Sequence, residues 1–193
     1  MRTLTLDKIA SVTNNCRLRR DVRVSDQFPC VEGDVVAVRI KNAKSSYNTL
    51  ELVTGRMSAL KPGDVIAGCL GHRKAVQGYA GVVPKSLKVG DTVNLLNMGG
   101  VIGHCTSASP LVGAPFECEV LGQVLDFPYL GSRKGVPANI ARALPPLDSN
   151  LDLQGVPVIA ILGTSMNSGK TEACSTIIQG LARRGIKVAA GKA

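Results

Sequence analysis

Apolar positions along this chain fall into two regimes, separated by a proline-containing stretch. Between residues 31 and 130, short β-rich runs are broken at close intervals by Gly, Pro and Asn: Asp34–Ile40, Thr49–Thr54, Asp64–Leu70, Gly78–Val83, Thr92–Asn97, Val101–Cys105 and Phe116–Phe127. Short strands at this density predict a small closed β-barrel. One turn recurs ahead of three of them, in Glu32-Gly33-Asp34-Val35-Val36, Pro62-Gly63-Asp64-Val65-Ile66 and Val89-Gly90-Asp91-Thr92-Val93. Each reads as a turn feeding a strand. The sequences between the turns do not match, so the recurrence is not a solenoid repeat.

From residue 156 the pattern changes. Val158 to Leu162 is an unbroken apolar run, the mark of a central parallel strand covered on both faces. After a glycine-containing loop, Ala173, Ile177, Ile178 and Leu181 recur at helical spacing, with Gln179, Arg183 and Arg184 on the other side. Gly185 is a natural helix stop, and Ile186 to Ala190 reads as a second strand. The predicted fold class is therefore α/β with a separate all-β part: a small N-terminal β-barrel, then the first β-α-β unit of a truncated, parallel-sheet P-loop domain. Residues 1–30 form a basic N-terminal segment, 31–130 the barrel, 131–155 a connector stiffened by prolines, and 156–193 the incomplete nucleotide-binding domain.

The loop between strand and helix carries the chemistry. Gly163-Thr164-Ser165-Met166-Asn167-Ser168-Gly169-Lys170-Thr171 has the composition of a phosphate-binding loop, flanked as such a loop must be by a buried strand and a helix N-terminus. Backbone N–H groups of the loop converge on phosphate oxygens, and the positive end of the helix dipole adds to them. Lys170 then reaches the β and γ phosphates, and the Thr171 hydroxyl ligates Mg²⁺. Gly169 permits a close approach that a side chain would block. In the strict GxxxxGK[ST] frame the first glycine falls at position 164, which is threonine here, and Gly163 stands one residue earlier.

That offset resembles the loop of dethiobiotin synthetase and its relatives, the branch of P-loop proteins that includes the cobyrinic acid amidating enzymes and the nucleotide-binding protein of molybdopterin-guanine dinucleotide synthesis. The resemblance covers residues 156–193 and implies ATP, with GTP as the other option, and Mg²⁺. It carries over Lys170 and Thr171, and adds Lys192, which matches the lysine that ends the strand after the first helix in dethiobiotin synthetases. The aspartate such loops often carry after Gly-Thr is Ser165 here, a departure that bears on the synthetase's own chemistry. The barrel before a P-loop domain also resembles, in architecture alone, the N-terminal barrel of rotary ATPases. No Asp or Glu follows Glu172, so the acidic magnesium partner of phosphoryl chemistry is expected on a continuation of the chain, and this piece is expected to be an inactive fragment.

Composition narrows the setting. The chain is 45% hydrophobic and 19% charged, with no run long enough to span a bilayer and no secretory signal at its start. Its six cysteines show no CxxC pair and read as reduced thiols, so a cytoplasmic protein without a membrane partner is expected. A net charge of +9 invites an acidic partner, but the densest basic run, Arg17-Leu18-Arg19-Arg20-Asp21-Val22-Arg23, lacks the interleaved aromatics of a base-stacking surface. It reads as a solvated or partner-facing segment, which ranks nucleic acid below a nucleotide.

Asn97-Met98-Gly99-Gly100-Val101-Ile102-Gly103-His104-Cys105-Thr106-Ser107 is a candidate metabolite pocket or, alternatively, a tight β corner. His104 and Cys105 are adjacent and cannot share a metal from one strand, and His72 reads as a loop residue. Arg133 and Lys134 in the connector are candidate phosphate contacts. Three functions stay open: an Mg-dependent NTPase or ATP-dependent enzyme that activates a small metabolite, a nucleotide-gated accessory protein that hands a cofactor or metal centre to a client, and a β-barrel nucleic-acid module. The sequence allows an oligomer under each.

Overall fold

The computed structural model describes residues 1–75, 77–129, 131, 133–142, 154–164 and 168–191. The chain divides into two compact units, Met1–Pro146 and Leu147–Ala193. The first contains β1 (Arg2–Thr5), β2 (Lys8–Ile9), a 3₁₀ turn at Ser11–Cys16, β3 (Asp21–Ser25), β4 (Val35–Ile40), β5 (Thr49–Glu51) and β6 (Met57–Ala59). It continues with β7 (Val65–Leu70), β8 (Tyr79–Val82), β9 (Thr92–Leu95), β10 (Val101–Ala108), β11 (Phe116–Asp126) and β12 (Val136–Pro137). The described helix of the second unit is α1 (Lys170–Arg183).

The recurring Gly-Asp turn accounts for much of the sheet. In each copy the aspartate N–H donates back to the carbonyl three residues earlier, Asp34 to Val31 at 3.0 Å, Asp64 to Lys61 at 3.1 Å and Asp91 to Lys88 at 3.1 Å. The third position needs a positive φ, and glycine supplies it at Gly33 (86°), Gly63 (95°) and Gly90 (93°). The aspartate carboxylate then accepts from the N–H of the turn's first residue: Val31 at 2.9 Å, Lys61 at 2.7 Å and Lys88 at 2.8 Å. Every turn also clasps another strand through a pair of backbone bonds, two of them at a strand end and the third at the register shift within β11. Gly33 and Asp34 hold Leu70, Gly63 and Asp64 hold Ile40, and Gly90 and Asp91 hold Val120. The turn that starts β4 thus closes on the end of β7, and the turn that starts β7 closes on the end of β4. Both ends of the antiparallel register Val35↔Cys69 to Arg39↔Val65 are fixed in this way.

The strands join a ten-stranded mixed sheet in the order β1-β3-β11-β4-β7-β10-β8, with β2 on β7, β12 on β11, and β9 bridging β10 and β11; β5 and β6 pair separately. Most pairings are antiparallel, but β7 runs parallel to both β10 and β2. The pairings β11–β4, β4–β7, β7–β10, β10–β9 and β9–β11 close a circuit. Every strand of that circuit contributes to one core cluster, through Val36, Val38 and Ile40, Ile66 and Leu70, Ile102, Val93 and Leu95, and Phe116, Cys118 and Val120. A second cluster takes the opposite faces, Val35 and Ala37 of β4 and Ala67 of β7, with Val22 and Val24 of β3. This two-sided burial explains why Val35–Ile40 reads as a nearly continuous apolar run although its pairings are antiparallel.

Strand β11 serves both clusters by changing phase. Its register against β4 shifts between Val120 and Gly122, so Phe116, Cys118 and Val120 face the first cluster, whereas Leu121 and Val124 face the second. One extra residue in a strand reverses which side chains point to which face.

Two expectations are overturned. The β-rich runs of residues 31–130 do not stand apart as a separate small barrel: except for Thr49–Thr54, whose β5 pairs with β6 outside it, they belong to the large mixed sheet, which also draws β1, β2 and β3 from residues 1–30 and β12 from the expected connector. Nor do residues 156–193 form a parallel β-α-β unit. Val158–Leu162 and Ile186–Ala190 lie in no strand, and only the helix between them takes its expected form. A strand exists through hydrogen bonds to a neighbour, and neither run has one among the described residues.

The turns differ in what their carboxylates hold, and this sets their contributions. Asp64 also pairs with Lys8 of β2, both side chains being mostly buried, whereas Asp91 is exposed. Asp91→Ala should cost about 1 kcal/mol in urea unfolding, through the lost turn bond, and Asp64→Ala about 3 kcal/mol, because Lys8 is left unpaired. Equal losses would mean that the ion pair adds nothing.

Burial pushes the thiols of Cys69 and Cys118 from the ordinary 9.0 up to about 12. Above pH 9 the unfolded chain gives up these protons while the folded chain retains them. The stabilisation is complete below pH 9 and is lost as pH rises toward 12. In urea melts across this window, stability should fall by about 1.4 kcal/mol per pH unit for each such thiol. A Cys69→Ala, Cys118→Val double variant should show a shallower fall, and an unchanged slope would assign the loss to other groups.

Candidate functional site

The Gly163–Thr171 loop is described at Gly163, Thr164 and Ser168–Thr171, while Ser165, Met166, Asn167 and Lys192 lie outside the described residues. Helix α1 starts at Lys170 itself, with Gly169 as its N-cap in a left-handed conformation (φ 82°) and no side-chain cap. The first helical bond runs from Ala173 N–H to the Gly169 carbonyl at 2.9 Å. Glu172 in the first turn and Arg183 in the last complement the helix dipole. At the far end, Gly185 (φ 75°) donates to Ala182 at 2.9 Å and Ile186 to Leu181 at 3.1 Å. This paired-bond stop of the Schellman type places Gly185 where the sequence sets the end of the helix.

Lys170 folds back along the loop. Its Nζ donates to Ser168 Oγ at 3.1 Å. Its stem lies so close to Gly163 that a Cβ there would stand 2.9 Å from Lys170 Cγ and Cδ, and would also collide with Ser168 Oγ. Gly163 is therefore the seat of the Lys170 stem, although it falls one residue before the position that the strict loop frame reserves for glycine. Thr171 and Thr164 are exposed, so the Thr171 hydroxyl in the first helical turn is an accessible oxygen donor. One hydroxyl suits a cation that takes most of its ligands from phosphate and water.

The flanks differ from the expectation. Val156, Val158, Ile159 and Leu162 are 64–88% exposed, and α1 buries none of its residues. The strand expected to deliver the loop is an apolar segment without a covering sheet among the described residues.

The Asn97–Gly100 stretch has a structural role. Asn97 Oδ1 accepts from Val101 N–H at 2.9 Å, and the carbonyls of Met98, Gly99 and Gly100 accept from Glu51, Val12 and Cys69 at 2.7, 3.0 and 3.0 Å. The stretch is a corner that ties β10 to β5 and to the 3₁₀ turn. His104 is exposed, Cys105 donates to the Ser107 carbonyl at 3.3 Å, and the register against β8 slips between Cys105 and Ser107. His72 is exposed, and neither histidine joins a group of metal-ligating side chains among the described residues. Arg133 and Lys134 are exposed. In the basic run, Arg20 donates to the Leu6 carbonyl at 3.2 Å, and the Arg23 guanidinium lies 5.6 Å from the centre of the Phe127 ring.

Sequence reasoning missed two groupings, because each draws on residues far apart in the chain. Ser25, Gln27, Phe28, Pro29, Leu125, Gly135 and Pro137 line an open cleft of about 350 Å³. Elsewhere the Tyr47 and Tyr79 rings meet edge to face at 5.5 Å, with Lys44 over Tyr79 at 5.7 Å and Arg73 donating to the Tyr47 hydroxyl at 3.4 Å. Lys44 also donates to the carbonyls of Val112 and Ala114, and Arg73 to that of Leu96. Burial lowers the Lys44 ammonium and raises the Tyr79 phenol from their ordinary values. With both cations held by carbonyls, this cluster anchors loops.

No family model, curated protein or solved structure matches the chain. The local geometry around Gly163 has a direct consequence. Gly163→Ala should displace the Lys170 stem and raise acylation of Lys170 several-fold relative to the exposed Lys187 in mass-spectrometric footprinting. Unchanged labelling would show that the stem is not seated there.

Proposed function

We propose that the chain binds a nucleoside triphosphate, ATP by resemblance, through the Gly163–Thr171 loop. The observation that carries this reading is the coincidence of the motif with a helix that begins at its lysine, so that Lys170 and the uncapped N–H groups of the first turn share one end of α1. Such a helix end favours anions through its N–H groups and its dipole. Lys170 supplies a positive charge for the β and γ phosphates. Thr171 offers its hydroxyl to the Mg²⁺ that accompanies the nucleotide, and that ion neutralises phosphate charge when bound.

Within this reading the protein is an ATP-dependent or ATP-hydrolysing enzyme of small-metabolite activation. All six cysteines are free, which supports a reducing, cytoplasmic setting. No helix among the described residues is long and apolar enough to cross a membrane. Titration of the full chain with Mg·ATP tests the reading. Saturable binding is expected for the wild type, and Lys170→Ala should weaken it strongly while the unfolding transition of Met1–Pro146 stays in place. Equal affinity in the variant would remove the loop from the binding site.

A further inference from the structure

We infer that Ser168 is a positioning residue for Lys170, an inference that rests on the nucleotide-binding reading of this loop. Three observations converge on it. Ser168 Oγ accepts the Lys170 ammonium at 3.1 Å. Gly163 borders both side chains, and a Cβ at that position would collide with Ser168 Oγ and press on the Lys170 stem. Between the two residues, Gly169 takes a left-handed conformation (φ 82°) that brings the side chains at 168 and 170 together across the start of the helix.

A lysine ammonium is a point charge on a long flexible stem, and its usefulness at a phosphate depends on how narrowly its position is held. Here the stem is confined by the surface of Gly163 and the head by the Ser168 hydroxyl. The same arrangement gives the offset glycine a purpose: at 163 it makes room for the stem. Ser168 therefore acts on a phosphate through Lys170. It is not itself a ligand in this assignment.

Two measurements on the full chain decide the matter. In the ligand-free protein, with lysine labelled in ¹⁵N and the Lys170 ammonium assigned by its loss in Lys170→Gln, Ser168→Ala should increase the motion of that group. Ser168→Thr, which keeps the hydroxyl, should leave it as in the wild type. In titrations with Mg·ATP, Ser168→Ala should weaken binding about tenfold, the size expected for a hydrogen bond to a charged group, and Ser168→Thr should restore it. In the Lys170→Gln background, Ser168→Ala should add no further loss.

An unchanged Lys170 ammonium in Ser168→Ala overturns the inference whatever the nucleotide results. A full additional loss in the Lys170→Gln background also overturns it, since Ser168 would then touch the ligand directly. If the wild type takes up no nucleotide, the proposed function falls, and the ligand-free measurement still decides whether Ser168 holds Lys170.

Discussion

The larger unit depends on a bond between an aspartate carboxylate and the backbone N–H three residues before it. Each Gly-Asp turn must bend sharply, which glycine permits, and must stay bent, which the carboxylate ensures by accepting from Val31, Lys61 or Lys88. With the turn rigid, the glycine N–H and the aspartate carbonyl present a fixed pair of groups to Leu70, Ile40 or Val120. A single hydrogen bond of this kind contributes only about 1 kcal/mol. Its structural effect is larger, because it locks a donor and an acceptor in the spacing that a neighbouring strand requires. Slipping β4 by one residue against β7 would break both clasps and reverse the alternation that sends Val36, Val38 and Ile40 to one core and Val35 and Ala37 to the other.

This constraint was legible in the sequence because its ingredients are local. Gly33-Asp34, Gly63-Asp64 and Gly90-Asp91 stand ahead of apolar runs, and the structure places a strand after each. Helix α1 and its stop at Gly185 were legible for the same reason. Pairing was not. Arg23 hides a strand because β3 alternates, with Val22 and Val24 buried and Asp21 and Arg23 exposed, so that a basic run and a half-buried strand are the same residues. The cleft at Ser25 and Phe28 and the Tyr47–Tyr79 contact bring together residues distant in sequence, which local patterns do not encode.

The Val158–Leu162 run shows the converse. An apolar run records that a segment suits burial, and it cannot record what buries it. The helix forms its bonds within its own backbone, so α1 is present with its glycine stop, whereas the flanking runs have no strand partner among the described residues. The phosphate-binding reading rests on the part of the unit that folds by local rules: the glycines, the Lys170 side chain and the helix start. The part that depends on a sheet, namely how firmly the loop is delivered, contributes nothing to that reading.

The +9 charge also changes meaning once the fold is known. Read from composition it suggests an acidic partner. In the structure, the carboxylates of Asp7, Glu32, Asp34, Asp64, Asp91 and Asp126 accept from backbone N–H groups. Three ion pairs form among the described residues, Arg2–Asp26, Lys8–Asp64 and Arg39–Glu119. The chain directs much of its limited acidity to turns and strand ends, where a carboxylate fixes backbone geometry. The excess of cations comes from 23 Lys and Arg against 14 Asp and Glu, and it selects no polyanion by itself. Recognition of phosphate, on this view, belongs to a placed lysine and a helix end, where position and not total charge decides the outcome.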